Sequence, residues 1–299
     1  MPTEDMEHVG RIIKGIAGFY YVDDGKDIYE CKARGLFRKA RVKPLPGDLV
    51  RFSVTPDTDI LGGFVEELLP RKNVMIRPEA ANVDQVFLVF AAHAPEPNME
   101  MLNRYLVMCA HQEIPVVLVI NKCDLGAEET ERQVGHWFSG TPYPAVYISV
   151  YENRNLETLR TMLKGRVTAF AGPSGVGKSS LLNALFGEIR METGSLSERI
   201  GRGKNTTRHT ELFRTDMDTY IFDTPGFTSV ELDYISAEDL QYDFPEFLSL
   251  IPECRFSSCR HIGEQGCRVR QAAEEGQIPE VRYQNYTKIY KYLSALKRY

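Results

Sequence analysis

Residues 172–180 read Gly172-Pro173-Ser174-Gly175-Val176-Gly177-Lys178-Ser179-Ser180. The run up to Ser179 fits G-x-x-x-x-G-K-[ST], a spacing with a mechanical meaning. Glycines let the backbone turn so that its N–H groups converge on phosphate oxygens, and a helix N-terminus behind them adds a favourable dipole. The flanks supply what that geometry requires. Apolar residues 167–171 predict a buried strand leading in, and 180–186 predict a helix leading out that closes at Gly187. Gly172, Pro173, Ser174, Gly175, Val176, Gly177 and Ser180 are therefore expected to line a phosphate cradle. Lys178 is expected at the β- and γ-phosphates, and the Ser179 hydroxyl on magnesium.

A phosphate cradle does not select a base. Upstream, Asn121-Lys122-Cys123-Asp124 follows the apolar stretch 116–120, at the edge where α/β sheets bind ligands. A carboxylate can accept from both guanine N1–H and the 2-amino group, a donor pair that adenine lacks, so Asp124 is the expected guanine reader. Lys122 is expected to lay its stem along the base, and Asn121 to tie this loop to the cradle. Ser149 follows the strand candidate 145–148, where a second base-contacting loop would sit. A serine ending a strand is also an ordinary turn residue.

Downstream, Asp223-Thr224-Pro225-Gly226 follows the short apolar run 220–222. Asp223 is placed to hold magnesium through water, and the Gly226 N–H to meet a γ-phosphate. Without the cradle, an ordinary Pro-Gly turn would read the same way. Between cradle and Asp223 lies Gly201-Arg202-Gly203-Lys204-Asn205-Thr206-Thr207-Arg208-His209, polar and basic. Thr206 or Thr207 is expected to bring a hydroxyl to magnesium, with Thr207 preferred. Phe227 stands where many GTP-hydrolysing enzymes carry a water-orienting Gln, and a phenyl ring cannot orient water. His209 is the candidate replacement, a catalytic group beside Lys178 and Thr207.

These pieces belong together but run in an unusual order. A GTPase ordinarily begins with the cradle and ends near the base reader; here 121–124 and Ser149 precede 172–179, and 223–226 comes last. The simplest solution keeps the usual sheet, joins the old termini near 160–166 and opens new ones after 223–226. Permutation is tolerated because domain termini lie at the surface and close together.

Outside this region the texture changes. Residues 11–22, 28–33, 49–54 and 63–68 are short β-rich segments punctuated by Asp23-Asp24-Gly25 and Pro46-Gly47-Asp48, which predicts a small barrel or sandwich. Residues 32–43 carry six positive charges, no acid, and Phe37. Such a stretch suits phosphate contact and base stacking on RNA, or is simply a solvated basic hairpin. Lys288, Lys291, Lys297 and Arg298 share that ambiguity. After about residue 230 strands stop, and the final helix puts Tyr286, Ile289, Tyr290, Leu293 and Leu296 on one face. Cys254-x₄-Cys259-x-His261-x₅-Cys267 gathers three sulfurs and an imidazole in a short polar loop, a set suited to a closed tetrahedral zinc site. With no open coordination position, one structural zinc per chain is expected.

The bulk numbers agree with a soluble globular chain. It has 299 residues, 43% hydrophobic and 26% charged, with a net charge of -5 that neither announces nor excludes a nucleic-acid partner. The acidic N-terminus lacks an apolar signal region, and the longest apolar runs are too short to cross a bilayer. Clustered thiols fit a reducing, cytoplasmic setting.

Together these residues resemble the RsgA/YjeQ family of circularly permuted GTPases that act in small-ribosomal-subunit maturation. The resemblance spans the barrel, NKCD, GPSGVGKSS, GRGKNTTRHT, DTPGF and the C-x₄-C-x-H-x₅-C loop. It implies an α/β architecture: a central circularly permuted P-loop GTPase domain (73–232), an N-terminal OB-like β-barrel (1–72) and a C-terminal helical zinc-binding domain (233–299). It also implies GTP and GDP as ligands, magnesium with GTP, and the small ribosomal subunit with its rRNA as partner. Subunit-stimulated hydrolysis by a cytoplasmic monomer, with no membrane partner, follows as the expectation. A hydrophobic residue in place of the catalytic Gln, here Phe227, is a family trait. The alternative is a GTP-gated RNA or ribosome sensor with negligible turnover.

Overall fold

The computed structural model describes residues 8–34, 42–55, 61–76, 78–187, 210–216, 218–223 and 230–296. The strands begin with β1 (His8–Ile16), β2 (Phe19–Asp23), β3 (Ile28–Ala33), β4 (Leu49–Thr55) and β5 (Gly62–Leu68). Two short ones follow, β6 (Val74–Met75) and β7 (Ala80–Ala81), then β8 (Gln85–Ala91), β9 (Val116–Asn121) and β10 (Ala145–Tyr147). The last are β11 (Val167–Ala171), β12 (Glu211–Asp216) and β13 (Thr219–Asp223). The helices are α1 (Met99–His111), α2 (Ala127–Trp137), α3 (Leu156–Leu163), α4 (Lys178–Phe186), α5 (Arg268–Glu274) and α6 (Glu280–Ala295). They fall into two compact units: 1–85, 160–170 and 188–225; and 86–159, 171–187 and 226–299.

The first unit holds a closed barrel in the order β1-β2-β3-β5-β4. Alternation along each strand buries Ile12, Val22, Tyr29, Cys31, Val50, Phe52 and Val65 in its interior. The stretch 11–22, expected as one segment, is a hairpin turning at Ala17-Gly18, both with positive φ. No Asn-Gly or Asp-Gly marks that turn, which is why it did not stand out. The expected turn at Pro46-Gly47-Asp48 is present. Gly47 passes so close to Ala81 that a Cβ would lie 1.9 Å from its carbonyl oxygen. The same unit contains three further strands in the order β11-β13-β12. β11 and β13 are parallel; β12 is antiparallel to β13.

The second unit contains a parallel set of three strands in the order β10-β9-β8. Every residue of β8 and β9 is buried, as continuous apolar runs in a parallel sheet should be. Asn98 caps α1 by accepting the Met101 N–H at 3.0 Å. On α6, Tyr286, Ile289 and Leu293 are buried as expected, while Tyr290 and Leu296 are only partly so. The same helix buries Arg282, whose guanidinium meets Glu246 at 2.6 and 3.2 Å, bonds Asn103, and lies 4.6 Å from the Phe244 ring centroid. After β13 no strand occurs among the described residues. No helix among them is long and apolar enough to cross a membrane.

Candidate functional site

β11 delivers the chain to Gly172, where φ is +137° and a Cβ would stand 1.9 Å from the Val89 carbonyl oxygen. Only glycine lets the loop pass β8 this closely. At Gly177, also at positive φ, a Cβ would meet Asn121 Nδ2 at 2.5 Å. Pro173, Ser174, Gly175 and Val176 complete the loop, and α4 begins at Lys178, carrying Ser179 and Ser180 exposed on its first turn. The N–H groups of that turn have no intrahelical acceptors. Lys178 Nζ donates to the carbonyls of Gly172 at 2.7 Å and Pro173 at 2.6 Å. Burial lowers the pKa of its ammonium below the usual lysine value.

The base-reading candidates meet this loop directly. Asn121 Nδ2 donates to the Val176 carbonyl at 2.9 Å, and its Oδ1 accepts the Val150 N–H at 3.3 Å. The Lys122 ammonium donates to the carbonyls of Gly175, at 2.9 Å, and Ala94. Asp124 is exposed, and its Oδ1 accepts the buried Ser149 hydroxyl at 2.6 Å. Ser149 Oγ in turn accepts the Glu152 N–H at 3.1 Å. The structure thus brings 121–124, Ser149 and 172–180 together in one unit. The Ala94 contact was not anticipated; nothing in the sequence marks a carbonyl as a partner.

The switch candidates are described only in part. Asp223 ends β13, with its backbone opposite Glu211. The Asp223 side chain, Thr206, Thr207, His209, Gly226 and Phe227 lie outside the described residues.

The four C-terminal ligand candidates converge. One ligand atom from each of Cys254, Cys259, His261 and Cys267 lies within 4.8 Å of the others. His261 Nδ1 stands 3.7 Å from Cys254 Sγ and 3.4 Å from Cys267 Sγ. Its Nε2 donates to Gln241 Oε1 at 3.0 Å, which leaves Nδ1 as the lone pair facing the sulfurs. Burial lowers the pKa of the imidazole, favouring its neutral form, and raises those of the Cys259 and Cys267 thiols. A cation is what would make the thiolates favourable there, so the donor set fits a resident metal ion. α6 supports the loop: the Tyr283 and Tyr286 hydroxyls donate to the carbonyls of His261 at 2.8 Å and Arg260 at 2.7 Å. Gln241, 20 positions from His261, carries no motif that would single it out.

Comparison with known proteins agrees with this geometry. The RsgA GTPase family model matches residues 68–233, and the RsgA N-terminal domain model matches 9–61. The chain is 42% identical to the small ribosomal subunit biogenesis GTPase RsgA of Agathobacter rectalis, over 97% of this chain and 99% of the relative. It is 46% identical to the protein of the same description from Ruminiclostridium cellulolyticum, over 97% and 95%. Among solved structures it is similar to YjeQ from Thermotoga maritima, with TM-score 0.83 and 36% identity over 98% of this chain and 100% of that one. It is similar also to YloQ, described as a circularly permuted GTPase, with TM-score 0.81 and 31% identity over 100% and 99%.

Proposed function

The chain belongs to the RsgA GTPase family, and we propose from that premise that it binds GTP between the 172–180 loop and Asp124. It hydrolyses GTP to GDP and phosphate, and does so on the small ribosomal subunit and its rRNA late in subunit maturation. One observation carries the reading. The Asn121 amide bonds the Val176 carbonyl at 2.9 Å, joining the base-reading loop to the phosphate loop across 55 positions of permuted chain. A bond of this kind fixes the spacing between base and phosphate sites, which is what distinguishes a nucleoside triphosphate from phosphate alone.

In this reading Asp124, supported by Ser149, reads guanine, and Lys122 flanks the base. The N–H groups of Ser174 to Ser180 hold phosphate oxygens, Lys178 neutralises developing charge, and Gly226 meets the γ-phosphate. Magnesium brought with GTP would be held by Ser179 and Thr207, with Thr206 the alternative to Thr207 and Asp223 acting through water, and would neutralise phosphate charge. His209 is our candidate for the group that orients water. The three-part division into a barrel contacting RNA (1–72), the permuted GTPase (73–232) and a zinc-binding helical domain (233–299) belongs to the same proposal. So do a cytoplasmic setting and a monomeric state.

The test is GTP turnover titrated with purified small subunits. Intrinsic hydrolysis should be slow, because no Gln follows Gly226, and saturating subunits should raise it by orders of magnitude, as groups supplied in trans do in other GTPases. His209→Ala should lower the stimulated rate more than it weakens GTP binding. Turnover indifferent to subunits would leave a GTPase without the proposed partner.

The metal is proposed to be zinc, from three thiolates and one imidazole in a closed set. Elemental analysis should return one zinc per chain. Chelation should speed amide exchange across residues 250–296 while GTP affinity is retained. A metal-free protein whose 250–296 segment stays protected would overturn the ligand set.

A further inference from the structure

Both segments expected to face the γ-phosphate leave from one rung of one ladder. β12 begins at Glu211 and β13 ends at Asp223, and in their antiparallel register the two residues stand opposite each other. The chain arrives at Glu211 from Thr207 and His209, and departs from Asp223 toward Gly226. Where this rung sits is therefore where the switch segments are anchored.

The barrel holds that rung. On β1, Lys14 Nζ lies 2.9 Å from Glu211 Oε2, with the two side chains 20% and 32% exposed. Further along the ladder a buried set fixes the β12–β13 hairpin. The Asp23 carboxylate accepts Arg214 at 2.7 Å, the Tyr220 hydroxyl at 3.3 Å and the Gly25 N–H at 2.8 Å. Arg11 stands 5.2 Å from the Tyr220 ring centroid. Removing Asp23 would strand Arg214 and endanger folding. The Lys14–Glu211 pair is different. It is partly exposed, so it adds little to stability, yet it sits at the ladder end from which the switches leave. Thr210 beside it lines a cleft of about 490 Å³ together with Gly18, Phe19 and Lys43.

We propose that Lys14 and Glu211 are positioning residues for the subunit-stimulated part of GTP hydrolysis alone, through which a partner seated on the barrel sets the switch rung. The inference rests on the subunit-stimulated hydrolysis proposed above. Its test uses the full chain with Lys14→Ala, Glu211→Gln and the exchange Lys14→Glu/Glu211→Lys. Turnover is measured with and without saturating small subunits, beside affinity for a fluorescent GTP analogue. Each single variant should lose about fivefold or more of the stimulation, in the range of ordinary allosteric couplings. Basal turnover and GTP affinity should be kept, and the exchange should restore stimulation. Glu211→Gln removes a negative charge, so its loss of stimulation cannot come from weakened contact with RNA. Unchanged stimulation in the single variants would overturn the proposal, as would equal losses of basal and stimulated rate, or an exchange that does not restore. No stimulation in the unsubstituted protein would remove the proposed subunit dependence first, and this inference with it.

Discussion

Lys178→Ala should lower single-turnover GTP hydrolysis by about a hundred- to a thousandfold, the scale seen when one preorganised charge-stabilising group is removed from a reaction centre. Lys178 Nζ rests on the carbonyls of Gly172 and Pro173, at 2.7 and 2.6 Å. Those oxygens hold the side chain at the mouth of the loop, where the helix N-terminus and the loop N–H groups also converge. Phosphate oxygens carry more charge than carbonyls, and they gain charge at the leaving side as the γ-phosphoryl departs. The ammonium is thus more favourable in the transition state than in the ground state, which is the condition for acting on rate as well as on binding. Lys178→Arg should not restore the rate, since a planar fork cannot occupy the position of a compact ammonium. Ser179→Ala should fail by a separate route, through magnesium. Circular dichroism should show both variants folded, because neither side chain enters the core. Full turnover in Lys178→Ala would remove the 172–180 loop from the chemistry.

The sequence disclosed the parts of this site that depend on residue type at fixed spacing. The cradle was legible because its glycines are demanded by geometry: at Gly172 any side chain would collide with the Val89 carbonyl. Strands β8, β9 and β11 were legible because burial on both faces leaves continuous apolar runs. β12 was not, because Glu211, Arg214 and Asp216 break the pattern, and that strand lies last in the sheet order among the described residues. Arg282 was missed for a related reason. Pattern rules place an arginine outside, whereas here Glu246 and Asn103 satisfy its guanidinium and Phe244 covers it. Gln241 orients His261 from 20 positions away, a relation only the fold can create. The metal set needed no such help, since all four ligands lie between Cys254 and Cys267.

Asp124→Asn should weaken GTP binding by about 2–4 kcal/mol, or roughly thirty- to several hundredfold, from the cost of mismatched polar groups at the base. Guanine presents two donors on one edge, N1–H and the 2-amino group, and a carboxylate accepts both. The Ser149 hydroxyl donates to Asp124 Oδ1 at 2.6 Å, which aims the carboxylate and fixes which way it points. An asparagine in the same pose keeps one acceptor but turns a donor toward the guanine amino group. Xanthine differs from guanine by carrying a carbonyl in place of that amino group, so the same asparagine would then face an acceptor. The substitution should therefore do more than damage the site: it should invert the preference, with XTP binding the variant more tightly than GTP. Competition between the two nucleotides for a fluorescent analogue reads this directly. Equal GTP affinity in variant and parent would take Asp124 out of base recognition. A loss of GTP without a gain of XTP would place its role in holding the 121–124 loop instead, since a loop that has moved weakens both nucleotides alike while a rewired base contact cannot.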